Sequence, residues 1–337
     1  MQTYLFICSF QAHILTNKNE IQTDREGYRS FFLQMNVDEY LKRIEINRPT
    51  NGPDKDYLNR LHIAHLTHIP FETFDLIDLK QLDISLEESF NRMVRQQRGG
   101  VCCQMNGLFA WILRNLNYHV RLIPCTIFSL TTHCYQNVSA HVCLFVRLEN
   151  DEQILCDVGS ARDYLTPLFF RTDSIQYTGN GFFRIVTIDD GLYYQLEKGV
   201  FKQEQSISLP CVSPPRTHVV DIDPELIKWV TSYRFPVNFF ERSIEIDDFK
   251  SACPFVLHSP SVILNHCSIC HIHIRQASFI GAYSLMGKEF SEITYRNGVA
   301  HRTISSLADI NDEELKELLK EKFDILIERK LELVSPQ

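Results

Sequence analysis

Two adjacent cysteines, Cys102 and Cys103, follow a Gly-Gly pair in RQQRGGVCCQMNGLFAWI, residues 95–112. Met105, Leu108, Phe109, Ile112 and Leu116 recur at i, i+3, i+4 spacing, so a buried helix starts here. Carried back three residues, its apolar face lands on Cys102. That sulfur would sit in the first turn, at the positive end of the helix dipole, where a thiolate is favoured. Cys103 falls about 100° round the axis, on the side of Asn106 and Ala110. Alone, the pair reads as two inert buried thiols. Partners change that reading. In SAHVCLFVRLENDEQILCDVGS (139–160) a hairpin turns at Asn150-Asp151, and His141, Cys143, Phe145 and Arg147 share one strand face. Gln153, Leu155 and Asp157 share the facing one. With an odd number of connecting residues, His141 and Asp157 come to the same side. An unpaired carboxylate in so apolar a stretch would be costly, so His141 is its expected partner. A thiol, an imidazole and a carboxylate on a helix start and adjacent strands can do nucleophilic chemistry.

The elements around these residues change texture along the chain. MNVDEYLKRI opens a helix at Met35 with Asp38 in its first turn. DKDYLNRLHIAHLTHIPFETFDL, starting at Asp54, is helical until Pro70. Its His62, His65 and His68 recur every third residue; they read as members of a helix face, since no carboxylate or cysteine joins them at ligand spacing. From 119 to about 225, β-branched and aromatic runs alternate with turn residues. LPCVSPP (209–215) reads as a linker. The last third mixes strands with a final amphipathic helix in which Leu315, Leu318, Leu319 and Phe323 share a face. CSICH (267–271) matches haem attachment as letters, but it also reads as a strand with Ile269, His271 and His273 on one face. A zinc set of Cys267, Cys270 and His273 lacks a second ligand pair. No metal is expected.

The 337 residues suit two to three domains, and 44% hydrophobic with 23% charged residues is ordinary for a globular protein. A net charge of −8, without a basic stripe, argues against nucleic acid. No run reaches the roughly 18–20 apolar residues needed to span a bilayer. MQTYLFICSFQAHIL lacks the charged start and cleavage site of a signal peptide. Eleven cysteines without framework spacing then suggest free thiols in a reducing, cytoplasmic setting. Residues 1–34 are expected to be a disordered extension, or to precede a true start at Met35.

RGGVCCQMN resembles the arginine-glycine-glycine-x-cysteine-x-glutamine motif of the arylamine N-acetyltransferases, and HIPFETFDL resembles their proline-phenylalanine-glutamate segment. The spacings from Cys102 to His141 and from His141 to Asp157 fit the same family. The resemblance runs from about Met35 to the C-terminus and is strongest up to about residue 170. It implies an α+β fold in three parts around a papain-like Cys-His-Asp core. These are a helical bundle (35–118), a central β-barrel (119–225) and a C-terminal α/β lid (226–337). By position it makes Cys102 the nucleophile, His141 its base and Asp157 the residue that orients the imidazole. Arg98 and Glu72 match a supporting ion pair. Phe71 and Val101 match positions lining the acceptor pocket, and Asn106 a residue buttressing the cysteine helix. The family's glycine-phenylalanine-glycine after the aspartate is here VGSARDY, which puts Ser160 at the aromatic position of the acceptor site. The implied activity is transfer of an acetyl group from acetyl-CoA, through an acyl-cysteine in a ping-pong cycle, to the nitrogen of an arylamine, hydrazine or related amine. Coenzyme A and a small amine are then the partners. A thiol hydrolase, an amide synthase on the same triad and a degenerate non-enzymatic binder stay open as alternatives.

Overall fold

The computed structural model describes residues 34–336, apart from 51, 204–206, 211, 212, 277, 278 and 297. The reading of residues 1–34 therefore lies, but for Gln34, outside the described residues. Val37–Gln337 forms one compact unit of α+β architecture.

The first part is helical. Helices α1 (Val37–Arg43) and α2 (Lys55–His68) precede two short helices, α3 (Phe74–Asp78) and α4 (Leu86–Phe90). α2 starts where Asp54 accepts the Tyr57 N–H at 2.6 Å, an N-cap that satisfies one orphan amide, and it stops at Ile69 before Pro70. α5 (Cys102–Asn115) carries Met105, Leu108, Phe109 and Ile112 fully buried, as the spacing predicts. Its entry is fixed by Gln104, whose Oε1 accepts the Val101 N–H at 3.1 Å.

Between these helices a two-residue strand, β1 (Phe71–Glu72), leaves the helical part. It pairs antiparallel with β12 (Ile269–Gln276), Phe71 opposite His271 and Glu72 opposite Cys270. β12, β13 (Phe279–Met286), β14 (Glu289–Arg296) and β15 (Val299–Ser306) complete a five-stranded sheet. One face of this sheet packs on the last helix, Asp312–Phe323, through Cys270, Ile272, Leu285 and Phe290 against Leu315, Leu319 and Phe323. Strand alternation therefore turns Cys270 away from His271 and His273. That separates Cys270 from His273 in the cysteine–histidine set weighed above, and no cluster of three metal-ligating side chains occurs among the described residues.

The second sheet has ten strands. They are β2 (His119–Ser129), β3 (Cys134–Tyr135), β4 (His141–Arg147), β5 (Gln153–Cys156), β6 (Leu168–Phe169), β7 (Ile175–Tyr177), β8 (Phe182–Ile188), β9 (Tyr193–Phe201), β10 (His218–Val220) and β11 (Ile227–Pro236). The path runs β10-β7-β8-β9-β11-β2-β4-β5-β6, with β3 on β2, and curls as a half-barrel. The expected barrel is not closed by a backbone ladder. Instead the carboxamide of the buried Gln176 on β7 donates to Phe169 O at 2.9 Å and accepts the Phe169 N–H at 2.8 Å. It stands in for a neighbouring peptide along the β6 edge. The Thr217 hydroxyl donates to Pro167 O beside this seam.

Two expectations change here. β11 lies in the segment assigned to the third part, yet it pairs with β9 from Ile227 to Pro236 and with β2 at Tyr233 and Arg234, so the half-barrel runs on to residue 236. The 209–215 stretch is not a connection between folding units, because the chain returns through β10 to the same sheet. Pro and Ser there mark an excursion with Leu209 and Pro215 buried, and composition alone cannot tell that from a linker.

Candidate active site

β4 and β5 are joined by five residues, Leu148–Glu152, in which Asp151 takes a positive φ of 60°. The ladder pairs Arg147 with Gln153 and Phe145 with Leu155, so Asp157, one step beyond β5, shares the face of His141. Their side chains meet, His141 Nε2 to Asp157 Oδ2 at 2.8 Å, both buried. The start of α5 reaches this pair through Asn106, which bonds Asp157 and Val142. Cys102 and His141 line one cavity of about 390 Å³, and the imidazole helps to draw the Cys102 thiol toward its ionised form. Cys102, His141 and Asp157 are thus brought together.

Asp157 is held from every side. The Asn106 amide donates to Oδ1 at 2.7 Å and to Val142 O at 2.7 Å, while Asn106 Oδ1 accepts the Val158 N–H at 2.9 Å. The Gly159 N–H adds a further donor to Oδ1 at 2.9 Å. A Cβ on Gly159 would lie 2.6 Å from Cys102 Cα and 2.6 Å from Asn106 Nδ2, so only glycine lets the strand end approach the helix this closely. His62 arrives from α2. Its Nε2 accepts the Asp157 N–H at 3.3 Å and its Nδ1 reaches Leu165 O at 3.0 Å. That places the ring proton on Nδ1. Burial holds His62 down to about 4, so the ring stays neutral. The histidine spacing marked His62 only as a member of a helix face, and Tyr233, whose ring centroid lies 5.0 Å from that of His141, was not marked at all. His65 bonds Tyr40 Oη at 2.7 Å and His68 bonds Ala64 O at 2.8 Å, as members of a helix face.

The electrostatics favour separated charge. The Cys102 thiol is drawn down to about 5, first by a hydrogen bond from the Cys103 thiol, against burial, and then by the bond and charge of His141. Burial opposes a charge on His141, but Asp157 and Cys102 overcome it and hold the imidazole well above its usual range. Burial also presses Asp157 toward its neutral form, and His141, Asn106 and the Gly159 N–H outweigh it. A thiolate–imidazolium pair oriented by a carboxylate is able to attack a thioester or ester carbonyl. The first-turn amides of α5 have no intrahelical acceptor, and donors of that kind can serve an oxyanion.

Arg98 and Glu72 form a buried ion pair, Nη2 to Oε1 at 2.8 Å, within a wider cluster. Arg92 also bonds Glu72 and Asp75, and Arg329 from the C-terminal segment reaches Asp75 at 2.6 Å. Arg92 Nε donates to Gly99 O at 2.7 Å, the Glu72 N–H to Gly100 O at 3.0 Å, and the Gly100 N–H to Pro70 O at 3.2 Å. A Cβ on Gly99 would meet Pro70 O at 2.2 Å. The cluster therefore pins the Gly-Gly segment against β1 just before Cys102.

Phe71 and Ser160 line the cavity, with Phe128, Leu130 and Ile263 toward its mouth. Val101 is not among the lining residues; its side chain is buried at the helix start. The Ser160 hydroxyl donates to Asp163 Oδ2 at 2.5 Å, which turns it partly from the cavity. Cys103 lies on the side of Asn106, as the helix azimuth implies, since both reach the start of β4. Both sulfurs lie near Ala140 O, Cys102 Sγ at 3.5 Å and Cys103 Sγ at 3.7 Å.

A family model described as N-acetyltransferase matches residues 54–332. The chain belongs to the arylamine N-acetyltransferase family. It is an acyltransferase of that family. It is 27% identical over 299 residues to the liver isozyme of arylamine N-acetyltransferase from Gallus gallus, covering 88% of this chain and 98% of that protein. It is 25% identical to arylamine N-acetyltransferase 1 from Homo sapiens, with 88% and 96% covered. The fold is similar to that of the arylamine N-acetyltransferase from Salmonella typhimurium, with a TM-score of 0.67 at 23% identity over 86% of this chain and 90% of that one. It is also similar to the Mycobacterium marinum arylamine N-acetyltransferase in complex with CoA, with a TM-score of 0.66 at 21% identity over 86% and 93%. No helix among the described residues is long and apolar enough to cross a membrane.

Proposed function

We propose that this family member moves an acetyl group from acetyl-CoA to the nitrogen of an arylamine, hydrazine or related small amine, through an acyl group carried on Cys102. Cys102 is the nucleophile, His141 the base and Asp157 the residue that fixes the imidazole. The reading rests on one observation: a thiol lowered to about 5 lies at a 390 Å³ cavity beside an imidazole bonded to a buried carboxylate at 2.8 Å.

In the first half-reaction the Cys102 thiolate adds to the thioester carbonyl. The α5 amides of Cys102 and Cys103 donate to the oxyanion, each such donor being worth about 3 kcal/mol. The CoA thiolate departs with the proton His141 holds. One thioester replaces another, so positioning matters more than driving force. In the second, the amine attacks the acyl-cysteine, His141 takes its proton, and the Cys102 thiolate leaves. Phe71 and Ser160 bound the acceptor space, with Val101 behind the helix start. Arg98, Glu72 and Asn106 hold the frame. Apart from His141, the residues lining the cavity carry no ionisable group other than Cys102 itself, which suits a neutral amine. No metal takes part in these steps. A cytoplasmic setting fits the free thiols: the nine cysteines among the described residues are all unpaired.

Intact-protein mass after exposure to acetyl-CoA tests the assignment. A 1:1 acetyl adduct is expected on the native protein and none on Cys102→Ala; an adduct that persists in Cys102→Ala overturns it. CoA release with an amine panel, set against release in water alone, separates the transferase from a thiol hydrolase.

A further inference from the structure

The side chain of Cys103 has no role in the scheme above, yet its thiol and that of Cys102 converge on one atom. Cys102 Sγ donates to Ala140 O at 3.5 Å and Cys103 Sγ donates to the same oxygen at 3.7 Å. Ala140 and Cys102 both line the cavity of about 390 Å³, so the two sulfurs meet at its wall. Phe71, Ile127 and Phe128 line the same cavity and offer an aromatic ring an apolar seat.

The spacing of the pair decides what it can hold. Consecutive Cα atoms stand about 3.8 Å apart, below the roughly 4.4 Å that a disulfide ordinarily needs. Direct closure of one sulfur on the other is therefore strained. A zinc-like cation is poorly served too, because it takes four ligands and no cluster of three metal-ligating side chains occurs among the described residues. What suits two adjacent thiols is a soft centre that takes only two sulfurs, bridges them through one atom and brings its own third substituent. Trivalent arsenic carrying an aryl group is such a centre.

We propose that Cys102 and Cys103 form a dithiol site for arylarsenoxides, with arsenic bridging the two sulfurs and the aryl group seated in the cavity. Both thiols leave Ala140 O and attack arsenic. Two arsenic–sulfur bonds form, the arsenic–oxygen bond breaks, and the two thiol protons leave with that oxygen as water. Arsenic stays trivalent throughout, so no oxidant or reductant enters. The other close pair is walled off: Cys125 Sγ and Cys143 Sγ lie 3.4 Å apart, but both are fully buried in the half-barrel core and neither lines the cavity.

The test uses phenylarsine oxide on the native protein, Cys103→Ala and Cys103→Ser, with circular dichroism to show that each is folded. Intact-protein mass should show one phenylarsenic unit on the native chain, mapped by peptide fragmentation to residues 102 and 103. It should survive excess 2-mercaptoethanol and be removed by 2,3-dimercaptopropanol. With one sulfur gone the chelate is lost, so 2-mercaptoethanol should strip either variant, and half-occupancy should need at least about a hundredfold more reagent. A native adduct that 2-mercaptoethanol removes overturns the proposal. So does a variant adduct that resists it, or an adduct that maps to Cys125 and Cys143. The readout does not involve acyl transfer. A native chain that takes phenylarsenic but no acetyl group keeps this site and loses the proposed function, and the reverse result loses the site alone.

Discussion

Two polar clusters flank the start of α5, one running from buried Glu72 out to exposed Asp78 and one buried throughout, and they are built on opposite principles. In the arginine–carboxylate cluster, Arg92, Arg98 and Arg329 meet Glu72, Asp75 and Asp78, each bridged to an opposite charge. Every formal charge is balanced in the resting state. In the Cys102 cluster one thiolate and one carboxylate share one imidazolium, and the remaining partners are neutral: the Asn106 amide, the Gly159 N–H and the Cys103 thiol. The first arrangement resists change; the second is poised to give up charge when a carbonyl arrives. Removing a member of the first should therefore cost the fold, and removing a member of the second should cost rate.

The sharpest test of that contrast is Cys102→Ala. Acyl transfer is expected to fall to background in an acetyl-CoA/amine assay, while the midpoint of thermal unfolding stays close to native. Next comes Asp157→Asn, which keeps the shape but lets the His141 ring lose its fixed tautomer. A drop in kcat/KM on the order of 10³–10⁴-fold is expected, with the protein still folded by circular dichroism. Arg98→Ala works on the other cluster. It leaves buried Glu72 with fewer partners and should destabilise by about 3 kcal/mol in urea unfolding, with the rate at low temperature falling much less. If Arg98→Ala abolished acyl-enzyme formation without a loss of stability, the division between the clusters would be wrong.

Acidity gives a smaller but signed effect. Cys102 is lowered to about 5 and His141 raised, so the charge-separated pair exists from about pH 5 upward until the raised imidazolium deprotonates. The rate of Cys102 alkylation should fall on acidification with an inflection near 5 rather than near the free-thiol value of about 8.5. The linked stability has matching signs. The depressed thiol contributes in full above its unfolded value and loses that contribution as pH falls through about 5. The raised imidazole contributes in full below about 6.5 and loses it as pH rises through its folded value. The mildest change is Ser160→Ala. Ser160 lines the cavity but spends its proton on Asp163, so the KM for amines should move by only about two- to threefold, with kcat nearly unchanged.

Much of the site is local and therefore legible in the chain. The i, i+3, i+4 pattern after Gly100 marks where α5 begins, and strand alternation puts His141 and Asp157 on one face if the hairpin loop is odd, a condition its five residues meet. The apolar setting of Asp157 asks for a partner. Gly99 and Gly159 are legible only as glycines; the reason each must lack a Cβ lies in Pro70 and in Cys102, 29 and 57 residues away in the chain. Local pattern was misleading where one residue type serves two uses. The Pro/Ser-rich 209–215 stretch looks like a connector although the chain rejoins the same sheet, and β11 looks like the opening of a new unit although its ladder partners are β9 and β2.

By itself the sequence determined which side chains could carry chemistry, since periodicity and turn parity act over a few residues and need no knowledge of the remainder. Only the tertiary structure decided what surrounds them. It brought His62 from α2 onto the Asp157 amide, set Tyr233 beside His141, lent β1 to a sheet assembled some 200 residues later, and turned both cysteines toward Ala140. These are contacts between distant segments. They follow from how whole elements pack, and an axial angle of about 100° between neighbours on a helix says which side each takes but not which distant strand it will meet there.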